Sequence, residues 1–189
     1  DKPITRLAFT RGELWTYKAV EKPDEEGAFL LDLGFRVRKD FPSGKSLRLG
    51  KDDCVKTDSK DGSFSKVDEK SEALFTYKAR IEKIIDADTF TVLIDLGFGL
   101  SIQQKLRLRG IDSPEMDAEE GKRATRFVQA RISRLDFIVV KTHKDSTDKY
   151  DRYLADIFYL KDEKDPAKVA AQGNYLNQEL LNERLACVY

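Results

Sequence analysis

Between Leu74 and Leu160 the chain runs through β-type segments at about 74–84, 89–98, 102–110, 137–142 and 153–160, with a single amphipathic stretch among them. In "IQQKLRLRG" the period of two puts Leu106 and Leu108 on one face and Arg107 and Arg109 on the other. The interposed "DAEEGKRATRFVQARISRLD" gathers Ala124, Phe127, Val128, Ile132 and Leu135 on one helical stripe and leaves Lys122, Arg123, Arg126, Arg131 and Arg134 elsewhere, the pattern of a surface helix. A second helix is predicted at about 174–186, with Asn174 as its cap and Leu176, Leu180 and Leu185 turned inward. Short strands with one helix between the third and fourth and another after the fifth close most simply as a five-stranded OB-type barrel. The expected class is therefore mainly β with helices (α+β).

Residues 1–73 read differently. Residues 1–50 are predicted to be a β-rich extension, with strand-like pieces around 5–20 and 28–38. "GKDDCVKTDSKDGSFSKVDEKSE" is too polar to make a core, so 51–73 is expected to be a linker, with the barrel domain at 74–189. The extension also echoes the barrel: "LWTYKA" at 14–19 against "LFTYKA" at 74–79, "LLDLGF" at 30–35 against "LIDLGF" at 93–98, "LRLG" at 47–50 against "LRLRG" at 106–110. Three matches in the same order, with similar gaps, favour a partial degenerate repeat over shared β composition. Three strands alone would have to pack against something.

With Lys+Arg 34 and Asp+Glu 34, the net charge is zero, and attraction to a polyanion would have to be local. Cys54 and Cys187 show neither metal-ligand nor CxxC spacing. No apolar run suits a membrane span, and no signal-peptide pattern opens the chain. The start at Asp1 is compatible with a removed leader or an upstream domain.

Chemistry-bearing residues fall in three clusters. Asp86 and Asp88 stand at the junction of the first two strands, where "IIDADTF" also makes acceptable hairpin chemistry. The third strand runs into Arg107-Leu108-Arg109-Gly110-Ile111-Asp112-Ser113-Pro114-Glu115. If the barrel brings Asp88 near Asp112, their oxygens, a main-chain carbonyl near Ser113 and water would suit a hard cation such as Ca²⁺. The alternative is that "DSPE" merely starts a helix. In the third cluster, "TDKYDR", Arg152 could grip a phosphate and Tyr150 could stack on a base, or the stretch is a solvated loop.

Taken in order, "IDADT", "RLRGIDSPE", "TDKYDRYLA" and "NQELLNERLA" make residues 76–188 resemble the staphylococcal-nuclease-like (thermonuclease) family. The resemblance implies an OB-type barrel and Ca²⁺-dependent hydrolysis of DNA or RNA to 3′-phosphate products. It implies Asp88, Asp112 and the main-chain carbonyl of Ser113 as metal ligands, with Asp86 supporting them from behind. It further implies Glu115 on the attacking water, Arg107 and Arg152 on the scissile phosphate, and Lys149 and Tyr150 on a neighbouring phosphate or the nucleotide. Ala87 and Asp151 stand where the family has Gly, a polar insertion follows Leu160, and Tyr189 matches a substrate-stacking tyrosine only if a one-residue gap is allowed. His143 is expected at the surface.

Some members of that family have lost their acids and serve as scaffolds for nucleic acid or protein, which is the competing reading. Here the acids and arginines are all present, and residues 1–73 are the part available to a protein partner. The compartment is not written in the chain, although the abundance of calcium outside the cytosol favours an extracytoplasmic setting.

Overall fold

The computed structural model describes residues 3–41, 47–58, 62–68, 73–147 and 152–189, with the main chain alone at 144–147. An extended arm, 3–13, leads into β1 (Thr16–Glu21), β2 (Phe29–Gly34), β3 (Val37–Asp40), β4 (Cys54–Thr57) and β5 (Phe64–Val67). These form an antiparallel sheet in the order β3-β2-β1-β4-β5.

The linker expectation for 51–73 therefore fails at two places. Cys54 and Val55 are buried, and β4 pairs with β1 while β5 pairs with β4. The polar composition hid this because only one face of each short strand needs apolar groups. Strand character at 5–13 is likewise absent. The arm lies instead across the helical end of the molecule, where Leu7 N donates to Gln178 Oε1 (2.8 Å) and Arg11 donates to the carbonyls of Ala170 and Gly173.

The second sheet begins with β6 (Thr76–Asp86), β7 (Thr89–Gly97) and β8 (Leu100–Leu108), followed by the short β9 (Ile111–Asp112), helix α1 (Glu119–Ile132), β10 (Ile138–Thr147) and β11 (Tyr153–Tyr159). The order β10-β6-β7-β8-β11, with β10 also paired to β11, closes a five-stranded barrel with helices, as the strand pattern predicts. Its interior is filled by Phe90, Val92, Ile94, Leu106, Leu108, Val140 and Ile157, all fully buried. On α1, Ala124, Val128 and Ile132 are buried and Phe127 is half-buried, so the apolar stripe faces the barrel.

The chain ends with α2 (Pro166–Gln172), β12 (Asn174–Tyr175), α3 (Leu176–Asn182) and β13 (Cys187–Val188). Asn174 is a strand residue paired with Tyr159 and not the predicted cap; α3 starts two residues later behind Tyr175. Leu176, Leu180 and Leu185 are buried as expected. The insertion after Leu160 contains α2, capped by Asp165 and seated through Val169 and Ala170.

The sequence echo extends to the backbone. Trp15 and Phe75 both take left-handed conformations (φ 61° and 60°), as do Gly34 and Gly97 (81° and 84°) and Phe35 and Phe98 (52° and 55°). Asp32 accepts from Gly34 N, and Asp95 accepts from Gly97 N. The two copies also exchange contacts: Tyr17 OH donates to Leu96 O (2.7 Å) and Tyr77 OH to Leu33 O (2.8 Å). A shared taste for β-branched residues does not place left-handed residues at matched positions. The division of the chain at 50 and 73 is a proposal. The core joins the two sheets, since Tyr17, Leu31 and Leu33 pack in one cluster with Tyr77, Ile94 and Leu96.

Candidate active site

Asp86 ends β6, Ala87 and Asp88 make the two-residue turn, and Thr89 opens β7, so the hairpin reading and the functional reading of "IIDADTF" both hold as geometry. Ala87 is buried and is not among the residues with positive φ, which is why a Cβ is tolerated there.

Register assembles the rest. β7 and β8 place Thr89 opposite Arg107, and the parallel pairing of β8 with β11 places Leu154 opposite Arg107, which brings the start of β11 and Arg152 to the same end of the barrel. Arg152 Nη1 donates to Thr89 Oγ1 (3.1 Å), and Thr89 Oγ1 donates to Asp88 Oδ1 (2.9 Å). Asp88 is 3% exposed; its main-chain carbonyl accepts from Leu108 N, and its Oδ2 accepts from Ser113 N (2.9 Å) and lies 3.4 Å from Arg107 Nη1. The Arg107 guanidinium also donates through Nη2 to Asp112 Oδ1. Asp88 and Asp112 thus share one positive centre.

Helix α1 does not start at "DSPE". Its cap is Ala118, and the preceding loop carries Pro114 and Glu115 along the barrel mouth. A Cβ on Gly121 would sit 1.8 Å from Glu115 O and 2.7 Å from Pro114 O, so glycine is what lets the loop lie on the helix. Sequence reading missed this residue, since a lone Gly in a helical pattern signals only a weak position until its neighbours are known. The Glu115 side chain is exposed at the rim. Strand β13 pairs with β9 and closes the other side, bringing the Tyr189 ring to 5.4 Å from the Arg107 guanidinium carbon, with Tyr189 N donating to Gly110 O.

Together Asp86, Asp88, Arg107, Asp112, Glu115 and Arg152 line a cavity of about 550 Å³, with Ser113 and Tyr189 also at its wall. Lys149 and Tyr150 lie outside the described residues. Burial and the neighbouring Asp88 push the Asp86 carboxyl above the usual range, against the opposing pull of the Met116 N–H, Arg152 and Arg107.

The oxygen donors are of the kind a hard cation takes: Asp88 and Asp112 both reach the Arg107 guanidinium, and Ser113 Oγ is buried with no hydrogen-bond partner. Among the described residues no three acidic, histidine or cysteine side chains stand close enough to clasp an ion by themselves, so main-chain oxygen and water would have to complete a shell.

His143 is not a plain surface residue. Its Nε2 lies 3.3 Å from Asp156 Oδ2, in a network where fully buried Asp156 also accepts from Arg109 and from Tyr175 OH (2.6 Å). Asn177 ties this network to α3, donating to Arg109 O and Ala155 O and accepting from Ile157 N. Sequence reading did not find it, because its members are scattered over three strands, the turn after β8 and a helix.

Residues 105–189 match the family model described as staphylococcal nuclease homologue, which supports a nuclease-family or nucleic-acid-binding domain there. The match starts on β8, so Asp86 and Asp88 lie ahead of it. No curated protein sequence matches the chain. Among the described residues no helix is long and apolar enough to cross a membrane.

Proposed function

We propose that residues 74–189 form a calcium-dependent phosphodiesterase that hydrolyses DNA, RNA or both to 3′-phosphate products. The observation that carries this reading is the meeting of Arg107 and Arg152 with Asp86, Asp88, Asp112 and Glu115 in one cavity, from three separate stretches of chain.

A phosphodiester is an anion that repels its nucleophile, and the extra charge of the five-coordinate transition state is what a site must neutralise. Arg152, fixed through Thr89 to the Asp88 corner, is the guanidinium assigned to a non-bridging oxygen. Arg107 is held between Asp88 and Asp112; an incoming phosphate competes with half-exposed Asp112 for one of its N–H groups while buried Asp88 keeps the stem in place. Glu115, at the wet rim, orients the attacking water and takes up its proton. When bound, Ca²⁺ would supply a further positive centre against the same charge, and Asp88, Asp112 and the Ser113 carbonyl are the groups to hold it, with Asp86 behind them. Lys149 and Tyr150 are assigned to a neighbouring phosphate or the nucleotide on the strength of the motif alone.

A second reading, a nucleic-acid- or protein-binding scaffold, draws support from the same ion pairs: Arg107 is already engaged by both Asp88 and Asp112, as in a site that binds without cutting. The assay is digestion of plasmid and single-stranded DNA with CaCl₂ or with EDTA, wild type beside Glu115→Gln. Calcium-dependent digestion lost in Glu115→Gln is the expected result. Absence of digestion by wild type sinks the nuclease reading, and digestion unchanged in Glu115→Gln removes the role given to that residue.

A further inference from the structure

A second cavity, of about 600 Å³, opens far from the acids, between the N-terminal sheet and the β7–β8 turn. Trp15, Phe64 and Phe98 line it with Asp58, Asp95 and Ser101. Its origin lies in the repeated hairpin. Phe35, the counterpart of Phe98, packs on Tyr77 at 5.3 Å and is covered by Tyr153 of β11 at 4.7 Å, which leaves it 7% exposed. Phe98 keeps the first of these contacts, with Tyr17 at 5.4 Å. For the second, Phe98 has Phe64, stacked at 6.1 Å, since among the described residues no strand of the N-terminal sheet corresponds to β11. Trp15 and Phe98 stay partly exposed, whereas their counterparts Phe75 and Phe35 are buried.

We propose that this cavity binds an organic cation, an alkylated ammonium or guanidinium group, on the faces of Trp15, Phe64 and Phe98. Charge selects this occupant over a nucleotide. Among the described residues two carboxylates and no lysine or arginine line the space, which repels phosphate and attracts a cation. Asp95 spends one oxygen on Gly97 N and makes no ion pair among the described residues. Aromatic faces attract ammonium and guanidinium groups, most strongly at Trp. Lys39 Nζ, which does not line the cavity, lies 5.5 Å from the Phe98 centroid.

Trp15 is the only tryptophan, so its fluorescence reports on the cavity directly. The full chain would be titrated at constant ionic strength with tetramethylammonium chloride, with a short neutral-capped peptide carrying one trimethyl-lysine, and with neopentyl alcohol as an uncharged relative of similar size. The expected result is a saturable change with the cations and none with the alcohol. Asp95→Asn, which keeps the acceptor for Gly97, should weaken binding about fivefold, the scale of one partly exposed ion pair. Ser101→Lys, at an exposed rim position, should abolish it while leaving the circular dichroism spectrum unchanged. A peptide that binds more tightly than the free ion assigns the cation to a protein side chain, and the reverse order assigns it to a free quaternary ammonium. No saturable response to either cation, an equal response to the alcohol, or displacement by oligothymidylate would overturn the proposal.

Discussion

The reciprocal tyrosines give the sharpest test of how the N-terminal sheet is fixed to the barrel. At Gly97 an added Cβ would lie 2.2 Å from Tyr17 Oη and 3.4 Å from the ring carbon behind it, at φ 84°. Gly97→Ala should therefore cost about 1–2 kcal/mol for the left-handed backbone and about 1–3 kcal/mol more for forcing the hydroxyl away. Tyr17→Phe removes the donor to buried Leu96 O and should cost about 1–2 kcal/mol. Were the two effects independent, the double variant would lose their sum, about 3–7 kcal/mol. Since the offending atom is the oxygen that Tyr17→Phe deletes, and 3.4 Å is ordinary contact, the double variant should lose only about 2–4 kcal/mol, the backbone strain plus the hydrogen bond. Urea denaturation followed by circular dichroism and by Trp15 fluorescence measures all four corners of the cycle. Additivity within about 0.5 kcal/mol would show that Tyr17 does not stand where the argument needs it. The mirror pair, Gly34→Ala with Tyr77→Phe, should be rescued less completely, because removing the oxygen at 2.0 Å leaves ring carbons at 3.2 and 3.3 Å.

Arg152→Ala should lower kcat at least about 100-fold with little change in KM, since its contribution falls mainly in the transition state; Arg107→Ala should in addition lower Tm, because it strips buried Asp88 of its charge partner. Gly121→Ala should displace the Glu115 loop and reduce both Tm and calcium-dependent cleavage, whereas Lys122→Ala one position on should leave both unchanged. Burial and the neighbouring Asp88 raise the Asp86 carboxyl above the ordinary carboxylate range, so the folded state holds its proton more tightly and this group's contribution to stability declines as pH rises through the carboxylate range. In EDTA, Asp86→Asn should therefore raise Tm at neutral pH, with the gain vanishing below about pH 3. Deleting residues 3–13 should lower Tm and loosen α3, seen as faster amide exchange at 176–182, because Gln178 loses its bonds to Leu7 N and Thr5 O and Arg109 loses Ala8 O.

The barrel was legible because its signals are local: period-two strands, a helical stripe on α1, and motif spacing that survives without any contact information. The acid and arginine positions at the mouth were legible for the same reason, since strand ends put Asp88, Arg107 and Arg152 at one end once the strand order is right. What escaped was whatever depends on partners distant in sequence. β4 and β5 have no apolar period strong enough to announce them, and they exist because β1 offers an edge for Cys54 and Val55 to bury against. Asn174 has good capping chemistry, but β11 recruits it as a strand partner first. The engagement of Arg107 with both Asp88 and Asp112 also lies beyond sequence, because alternation says which face a side chain is on and not which of several acids it will choose.

In the barrel, the β6–β7 hairpin is anchored at both ends: the turn at Ala87–Asp88 by β8 and Arg152, and the far end at Leu96 and Gly97 by Tyr17 of the half-copy. β7 is nine residues long, which at about 3.3 Å per residue keeps these two ends some 30 Å apart. The half-copy thus grips the barrel at the end where its own "LLDLGF" matches "LIDLGF", and leaves the acid-bearing end open to solvent. Its corresponding turn, "KPDEEGAF", carries no acid-x-acid-Thr pattern, and although Arg48 of "LRLG" matches Arg107 of "LRLRG", no strand among the described residues of the N-terminal sheet corresponds to β11 and its Arg152. What the half-copy retains is the part of the hairpin that packs, and the missing strands leave an aromatic cavity where the barrel has core. One hairpin thus does different work in its two settings, according to which strands arrive to cover it.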